Sequence, residues 1–327
     1  MATLKDIAQQ VGVSVSAVSL ALRDHPSIGQ ETRKRIWDVK KKLGYELKSK
    51  SNGNIAFILL DRGFDVFTYA RLFQSAGRLA TENDLQPIYL SLSHASVLQG
   101  ELPAVLQNRK VDGIIVSGAY DGAAHRILTS LGIPLVVCGN YQLGPEPWAS
   151  CEVDLFEGMR LMMQRLTELG HERIGLLTCT PEGVEFGHQL RQNYLSLVTE
   201  FQRHSVGIAC ERDYEASPDQ SALQQATSEL LNRGRLSAIV AERGNLDVLD
   251  QCARQGLRVP QDISLVSLGA VMYETRPTLA TVEANPVDLG RGIFEKLQRM
   301  MARPDYLITR EHFPMRLIPG DSLGPIA

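Results

Sequence analysis

Hydrophobic positions recur at helical spacing in three short segments within residues 1–45. In the first segment they fall at i, i+3, i+4 and i+7, which predicts a helix with one buried face, made of Leu4, Ile7, Ala8 and Val11. Thr3 is placed to cap this helix, with Asp6 three residues on as a near capping box, and Gly12 is predicted to end it.

A second helix is predicted to begin at Ser14, whose hydroxyl can cap its first turn. The inward face consists of Ala17, Val18, Ala21 and Leu22, and the outward face of Ser16, Ser19, Leu20 and Arg23. A third helix is predicted to end at Gly44. Its inward positions are Thr32, Ile36, Val39 and Leu43, and its basic positions, predicted to point outward or to lie at its end, are Arg33, Lys34, Arg35, Lys40, Lys41 and Lys42.

This order of helices is typical of a helix-turn-helix with a supporting third helix. The exposed residues of the second helix are short, mostly polar and followed by an arginine, so the helix fits a major groove of DNA. The alternative is a helical hairpin that only packs against the rest of the chain.

Beyond residue 54 the hydrophobic pattern changes to short apolar runs separated by helix-sized segments. This rhythm predicts parallel sheets with helices on both faces, divided into two similar lobes by a long connection around residues 145–150. The runs lie at residues 55–60, 87–92, 113–118, 134–139, 173–179, 236–242 and 263–269. The polar stretch 46–54 has no apolar periodicity and is predicted to be a short linker, so the domains are 1–45 and 55–327. The lobe crossovers are predicted near 150–155 and 280–286.

The cysteine content and the hydropathy of the chain indicate its cellular compartment. The 327 residues contain five scattered cysteines without CxxC spacing, no apolar run of roughly 20 residues and no signal sequence at the N-terminus. We therefore expect a cytoplasmic protein with buried free thiols and no membrane contact.

The charges are distributed unevenly along the chain. Residues 1–50 carry ten Lys or Arg against five Asp or Glu, a net charge of +5, which leaves −8 on the remainder of a chain of net charge −3. A basic head on an acidic body favours a polyanion as partner of the head, although a solvated helix surface is the alternative.

The stretch from Thr3 to Tyr45 resembles, without a gap, the DNA-binding head of the lactose-repressor (LacI/GalR) family of bacterial transcription regulators. The resemblance implies double-stranded operator DNA as partner and a homodimer. It places base contacts on Val15, Ser16, Leu20 and Arg23, and phosphate contacts near Thr3, Ser14, Ser19 and the start of the third helix. Leu20 replaces a more usual polar residue and offers only apolar contact, for instance to a thymine methyl. The linker lacks the family's Pro-Asn pair and hinge helix.

The body resembles the type I periplasmic-binding-protein fold, through residues 156–177, 257–269 and 286–297. The implied fold is an all-α helix-turn-helix head followed by an α/β two-lobed body with parallel sheets. A small-molecule effector is expected between the lobes, at Phe67, Asp154, Arg191 and Glu242. Each has a structural alternative: core packing for Phe67, helix capping for Asp154, and a salt bridge, for instance to Glu185, for Arg191.

Two departures from the family's pattern bear on the effector. Gly269 replaces the aspartate of sugar-binding members, and Glu242 with Arg243 replaces an Asn-Asp pair. The balance therefore favours an anionic or zwitterionic effector over a neutral sugar.

The sequence thus predicts a DNA-binding transcription regulator, a repressor, controlled by an effector. It contains no Walker loop, GxGxxG, HExxH or GxSxG motif, so neither an enzyme nor a cofactor is expected. His171, after Gly170, is interpreted as a residue at a helix C-terminus rather than as a base. The alternatives are a DNA binder whose cleft has degenerated and holds no effector, and a small-molecule binding protein without a DNA function.

Overall fold

The structure is a computed structural model that describes residues 3–22, 28–43, 52–61, 67–145, 147–178, 185–210, 220–233, 236–269, 271, 273–303 and 306–326. The chain divides into two compact units, Met1–Asn52 and Gly53–Ala327. We call the first unit the head and the second the body.

Among its described residues the head has three helices, α1 (Leu4–Val11), α2 (Val15–Ala21) and α3 (Gln30–Lys42). The predicted caps are confirmed. Thr3 and Asp6 form a capping box at α1, Gly12 ends this helix at φ 75°, and the Ser14 hydroxyl accepts a hydrogen bond of 3.1 Å from the Ala17 amide. Short-range sequence signals therefore determine where both helices begin.

The inward faces of the three helices meet in one small core. Ile7, Val18, Ala21 and Ile36 are completely buried there, as the spacing predicts. Two basic residues differ from the prediction that they point freely outward. Arg33 Nη2 donates to the Ile28 carbonyl at 3.1 Å and Arg35 Nη2 to the Val11 carbonyl at 2.8 Å. Val11 is the last residue of α1 and Ile28 precedes α3, and backbone carbonyls at such positions lack a partner within a helix. Residues 44–51, which include Gly44 and most of the predicted linker 46–54, lie outside the described residues.

The body is built on two sheets which, over the described ranges, have six strands each. The first sheet has the order β11-β5-β4-β3-β1-β2 and the second β12-β10-β9-β8-β6-β7. The strands are β1 (Asn54–Leu60), β2 (Gln86–Leu92), β3 (Gly113–Gly118), β4 (Leu135–Cys138), β5 (Ser150–Val153), β6 (Arg173–Thr178), β7 (His204–Cys210), β8 (Ala238–Ala241), β9 (Ser264–Leu268), β10 (Ala280–Ala284), β11 (Arg310–Phe313) and β12 (Met315–Ile318). The helices are α4 (Phe67–Glu82), α5 (His94–Leu98), α6 (Ala104–Gln107), α7 (Gly122–Ser130), α8 (Leu155–Glu168), α9 (Glu185–Glu200), α10 (Gln220–Asn232), α11 (Asn245–Arg254) and α12 (Pro286–Ala302).

Each sheet is buried on both faces, which explains the continuous apolar runs. In β1 alternate residues enter two different cores: Ile55, Phe57 and Leu59 pack with α4 and α12, whereas Ile58 and Leu60 pack with α5 to α7. The second sheet is likewise covered by α8 and α9 on one face and by α10 and α11 on the other. Each sheet with its covering helices forms one lobe, lobe 1 around the first sheet and lobe 2 around the second.

Over the described part of the body the chain passes between the lobes three times, where two crossovers were predicted. It leaves lobe 1 after β5, returns from β10 through α12, and passes at Pro314 from β11 in the first sheet to β12 in the second. The third passage was missed because β11 (REHF) is mostly polar and β12 (MRLI) has four residues interrupted by an arginine, so neither strand forms an apolar run. The sheets are also not purely parallel, since β12 runs antiparallel to β10.

Three cysteines, Cys138, Cys151 and Cys252, are buried free thiols. Burial raises the pKa of Cys252 to about 11 and that of Cys151 to about 12, so both thiols are neutral and unreactive at physiological pH. None of the described helices is long and apolar enough to span a membrane.

His171 lies three residues beyond the end of α8, next to Gly170, and it is buried to 1% exposure with Nε2 3.0 Å from the Gly324 carbonyl. Burial lowers its pKa below the ordinary value of 6.5. The unfolded chain therefore binds a proton here more readily than the folded one, and this contribution to stability is present above about pH 6.5 and is lost as the pH falls below it.

We expect the free energy of unfolding to fall more steeply between pH 6.5 and 5 in the wild type than in His171→Gln, by at most about 1.4 kcal/mol per pH unit. Glutamine keeps an N–H donor for Gly324 but does not titrate. Urea unfolding across this pH range measures both slopes. Equal slopes would show that His171 is not protonated on unfolding.

Candidate functional site

The outward face of α2 is the first candidate surface. Val15 is 44% exposed and Leu20 36%, and Ser16 is exposed beside them. The Ser19 side chain and all of Arg23 lie outside the described residues. Because Val18 and Ala21 on the opposite face are completely buried, α2 cannot rotate without losing its core contacts, and its outward residues are held in a fixed direction.

The helix N-termini of the head supply a second set of polar groups. Ser14 and Thr3 occupy the caps of α2 and α1, where unpaired backbone N–H groups attract anions. The Thr3 hydroxyl also donates to Asp6 Oδ2 at 2.8 Å, and the hydrogen bonds from Thr3 lower the pKa of the Asp6 carboxyl. On α3, Lys34, Lys41 and Lys42 are exposed and add positive charge to the same unit.

In lobe 2 the carboxyl ends of the central strands carry polar side chains. Glu242, the residue after β8, accepts a hydrogen bond of 2.8 Å from the hydroxyl of Thr178, the last residue of β6. Asn245 is 4% exposed and donates through Nδ2 to Ser267 Oγ at 3.0 Å. Gly269, after β9, has a φ of 117° and open space where a side chain would begin. The sequence analysis identified Glu242 here but missed Asn245 and Ser267.

The other predicted effector residues occupy different structural positions. Asp154 follows β5 and caps α8, where its Oδ1 accepts from the Glu157 amide at 3.1 Å. Arg191 on α9 is 8% exposed and donates from Nη1 to the Gly187 carbonyl of its own helix at 2.9 Å. Phe67 is the first residue of α4, and its side chain lies outside the described residues.

A cavity of about 430 Å³ lies where the chain crosses between the lobes. Lobe 1 contributes Arg71 from the first turns of α4, and the crossover contributes the start of α12. The lining residues are Arg71, Val271, Glu283, Asn285, Pro286, Arg316 and Ile318. None of the four predicted effector residues belongs to this lining.

The charged residues of this cavity could not be predicted from the sequence. Glu283 and Arg316 are opposite each other in the antiparallel pair β10 and β12, and neither strand contains an apolar run that predicts it. No short-range signal links the two positions, because their proximity results from the third crossover.

Comparison with known protein families assigns both units. Residues 3–46 match the model for bacterial regulatory proteins of the lacI family, and residues 163–323 match the model for a periplasmic binding protein-like domain. The HTH-type transcriptional regulator MalR of Streptomyces coelicolor is 27% identical over 313 residues, which cover 90% of this chain and 88% of MalR.

Solved structures show the same fold. The transcriptional regulator CelR in complex with cellobiose is 21% identical, with a TM-score of 0.73 over 98% of this chain and 100% of CelR. The lac repressor dimer bound to operator and the anti-inducer ONPF is 18% identical, with a TM-score of 0.71 over 98% of both chains. With its helix-turn-helix head and its two-lobed body, the chain belongs to the lacI family of bacterial regulatory proteins.

Proposed function

We propose that this transcription regulator recognises a two-fold symmetric operator as a homodimer, with α2 in the major groove, and that a small molecule held between the lobes controls binding. The observation that carries the proposal is the outward face of α2. This face presents short side chains on a helix that is capped at Ser14 and anchored by completely buried residues on its other side. A helix of this kind enters a major groove without clashing with its walls.

The exposed residues of α2 have the chemistry for reading bases. Ser16 can donate or accept a hydrogen bond at a base edge, and Val15 and Leu20 can contact thymine methyl groups. We also propose a base contact for Arg23, and phosphate contacts for Thr3, Ser14, Ser19 and the start of α3. A preference for sites with thymines at the apolar positions follows.

Charge supports the same partner. The net +5 of residues 1–50 attracts phosphates, whereas the −8 of the remainder repels them. Binding is therefore expected to weaken with increasing salt. The slope of the logarithm of the affinity against the logarithm of the salt concentration should be roughly proportional to the number of phosphates contacted.

Control by a small molecule fits the two-lobed body. The CelR structure contains cellobiose and the lac repressor structure contains ONPF, and both proteins share this fold. For this chain we propose that an effector occupies the space between the lobes, with Phe67, Asp154, Arg191 and Glu242 on or beneath its walls. The role is regulation of binding rather than catalysis.

Selection of bound fragments from genomic DNA, followed by footprinting of the full-length protein, tests the proposal. We expect a pseudo-palindrome with one half-site for each head. Ser16→Ala should weaken binding to the selected site about fivefold, or about 1 kcal/mol, because one base contact is lost.

Gln9→Ala, an exposed change on α1, is the matched control and should leave the affinity unchanged. Equal affinity for the selected site and random DNA at 150 mM salt would rule out specific recognition. If the site is bound but no small molecule alters the affinity, the DNA-binding half of the proposal stands and the control by an effector does not.

A further inference from the structure

The cavity at the lobe crossover is lined by charged groups of both signs and by apolar residues. Glu283 supplies a carboxylate, Arg316 and Arg71 supply guanidinium groups, and Val271 and Ile318 supply apolar surface. Its volume of about 430 Å³ lies within the range of small-molecule sites, which is about 300–1,000 Å³.

Glu283 is the group whose environment most requires a partner. Its side chain is half-buried, and among the described residues it makes no hydrogen bond and no ion pair within 4.0 Å. Burial raises the pKa of the carboxyl, and the positive charge of Arg71 opposes this increase. A carboxylate that is partly removed from water without a hydrogen-bond donor is costly, and a bound cation would relieve the cost.

Arg316 lies directly opposite Glu283 in the β10–β12 ladder, so both side chains are on the same face of the sheet and line the same cavity. They do not form an ion pair within 4.0 Å in the described structure. The two charges are therefore separate points at which a ligand can be held, and the planar fork of an arginine matches a carboxylate with two parallel hydrogen bonds.

The two arginines come from different lobes. Arg71 belongs to α4 in lobe 1, whereas Arg316 and Glu283 belong to strands of lobe 2. A ligand that contacts both arginines links the lobes and binds best to one arrangement of them. Such a difference in affinity is what a ligand needs to shift a conformational equilibrium.

We propose that the effector between the lobes is an amino acid whose charged groups are held in this cavity, with its carboxylate between Arg316 and Arg71 and its ammonium group on Glu283. The inference rests on the proposed control by a small molecule and names the class of that molecule. A neutral sugar offers no positive charge to the half-buried carboxylate of Glu283 and no negative charge to Arg316. An amino acid pairs both signs and places its side chain against Val271, Pro286 and Ile318.

Thermal-shift measurements on the full-length protein with each of the twenty common L-amino acids test the proposal. A ligand that binds only the folded state raises the melting temperature, and isothermal titration then gives its Kd. For the amino acid with the largest shift, the acid without its amino group and the amine without its carboxyl group are measured in parallel. We expect each to bind at least about tenfold more weakly than the amino acid.

Substitutions of the charged residues then identify the site. Arg316→Gln and Arg71→Gln should each weaken the amino acid at least about tenfold. Glu283→Gln should weaken it similarly and also invert the preference, so that the deaminated acid binds better than the amino acid. An inverted preference cannot arise from a general loss of stability. Arg78→Gln and Glu82→Gln, exposed partners of each other on α4, are the matched controls and should change nothing.

Three results would overturn the inference: no shift with any amino acid, binding of a neutral sugar that is insensitive to all three variants, or equal binding of the amino acid and its deaminated acid. None of these affects operator binding, which the Ser16 variant tests without ligand. A sugar that alters operator affinity in all three variants would therefore leave the proposed function intact while removing the amino acid.

Discussion

Replacing Glu311 with leucine is expected to lower the free energy of unfolding by about 3–5 kcal/mol, the cost typical of breaking a buried ion pair by removing one partner. Lys296 on α12 is completely buried, and its Nζ lies 2.9 Å from Glu311 Oε1 and 2.9 Å from Thr309 Oγ1. Without Glu311 the hydroxyl of Thr309 is the one hydrogen-bond partner left to the ammonium group among the described residues, so a buried charge loses its counter-charge.

Removing the lysine instead, in Lys296→Met, should lower the free energy of unfolding much less. In Lys296→Met the Glu311 side chain remains about one-third exposed and keeps Arg299 at 3.3 Å, so its charge is still compensated. The double variant should recover most of the stability that Glu311→Leu loses, because no unpaired buried charge remains. Urea unfolding of the four proteins gives the cycle. Equal losses in both single variants would mean that Lys296 is not held by Glu311.

The head was predictable because its signals are local. Each cap lies within three residues of the group it binds, as in Ser14 and Ala17, and helical spacing correctly separates Val18 inside from Ser16 outside. Arg33 and Arg35 were the exceptions. Arg35 binds the carbonyl of Val11, far away in the sequence, and no spacing rule reports such a partner.

In the body, the central strands were predictable and several of the others were not. A strand such as β3 is buried on both faces and needs an apolar run, whereas β11 (REHF) lies at the edge of its sheet and tolerates charges. The strand β7 (HSVGIAC) also lies at a sheet edge and escaped for the same reason, whereas β5 (SCEV) is buried but has only four residues, too few for an apolar run. An apolar run therefore indicates a strand that is buried on both faces, rather than strand formation in general.

The site was the least predictable part. Residues such as Glu242 were expected at strand ends, and the structure places Glu242 directly after β8. The cavity, however, is lined by Arg71, Glu283 and Arg316, which three separate elements bring together through two crossovers. Sequence spacing contains no information on that convergence, since it depends on the antiparallel addition of β12.

The packing of α12 against α4 next to this cavity leads to the second prediction, in which Gly290→Ala is expected to destabilise the protein by about 2–3 kcal/mol. In a helix interior this substitution ordinarily stabilises by about 1 kcal/mol, because alanine has the higher helix propensity. Here a Cβ atom would clash with the Leu72 carbonyl oxygen and lie 2.9 Å from Ser75 Cβ. The Leu72 carbonyl is part of the α4 backbone and cannot move by itself, so the whole of α4 has to shift. The free-energy cost is typical of overpacking.

Gly77→Ala in the interior of α4 is the matched control, because its Cβ would meet the Tyr89 hydroxyl, which is the far end of a side chain that is 46% exposed and can turn aside. Its stability should stay within about 1 kcal/mol of the wild type. Ser75 Oγ also donates to the Val287 carbonyl at 3.0 Å, so a shift of α4 disturbs the start of α12 at the cavity wall. Gly290→Ala should therefore also weaken ligand binding in the cavity, and urea unfolding with isothermal titration measures both effects. A Gly290→Ala protein as stable as the wild type would show that the two helices separate at little cost.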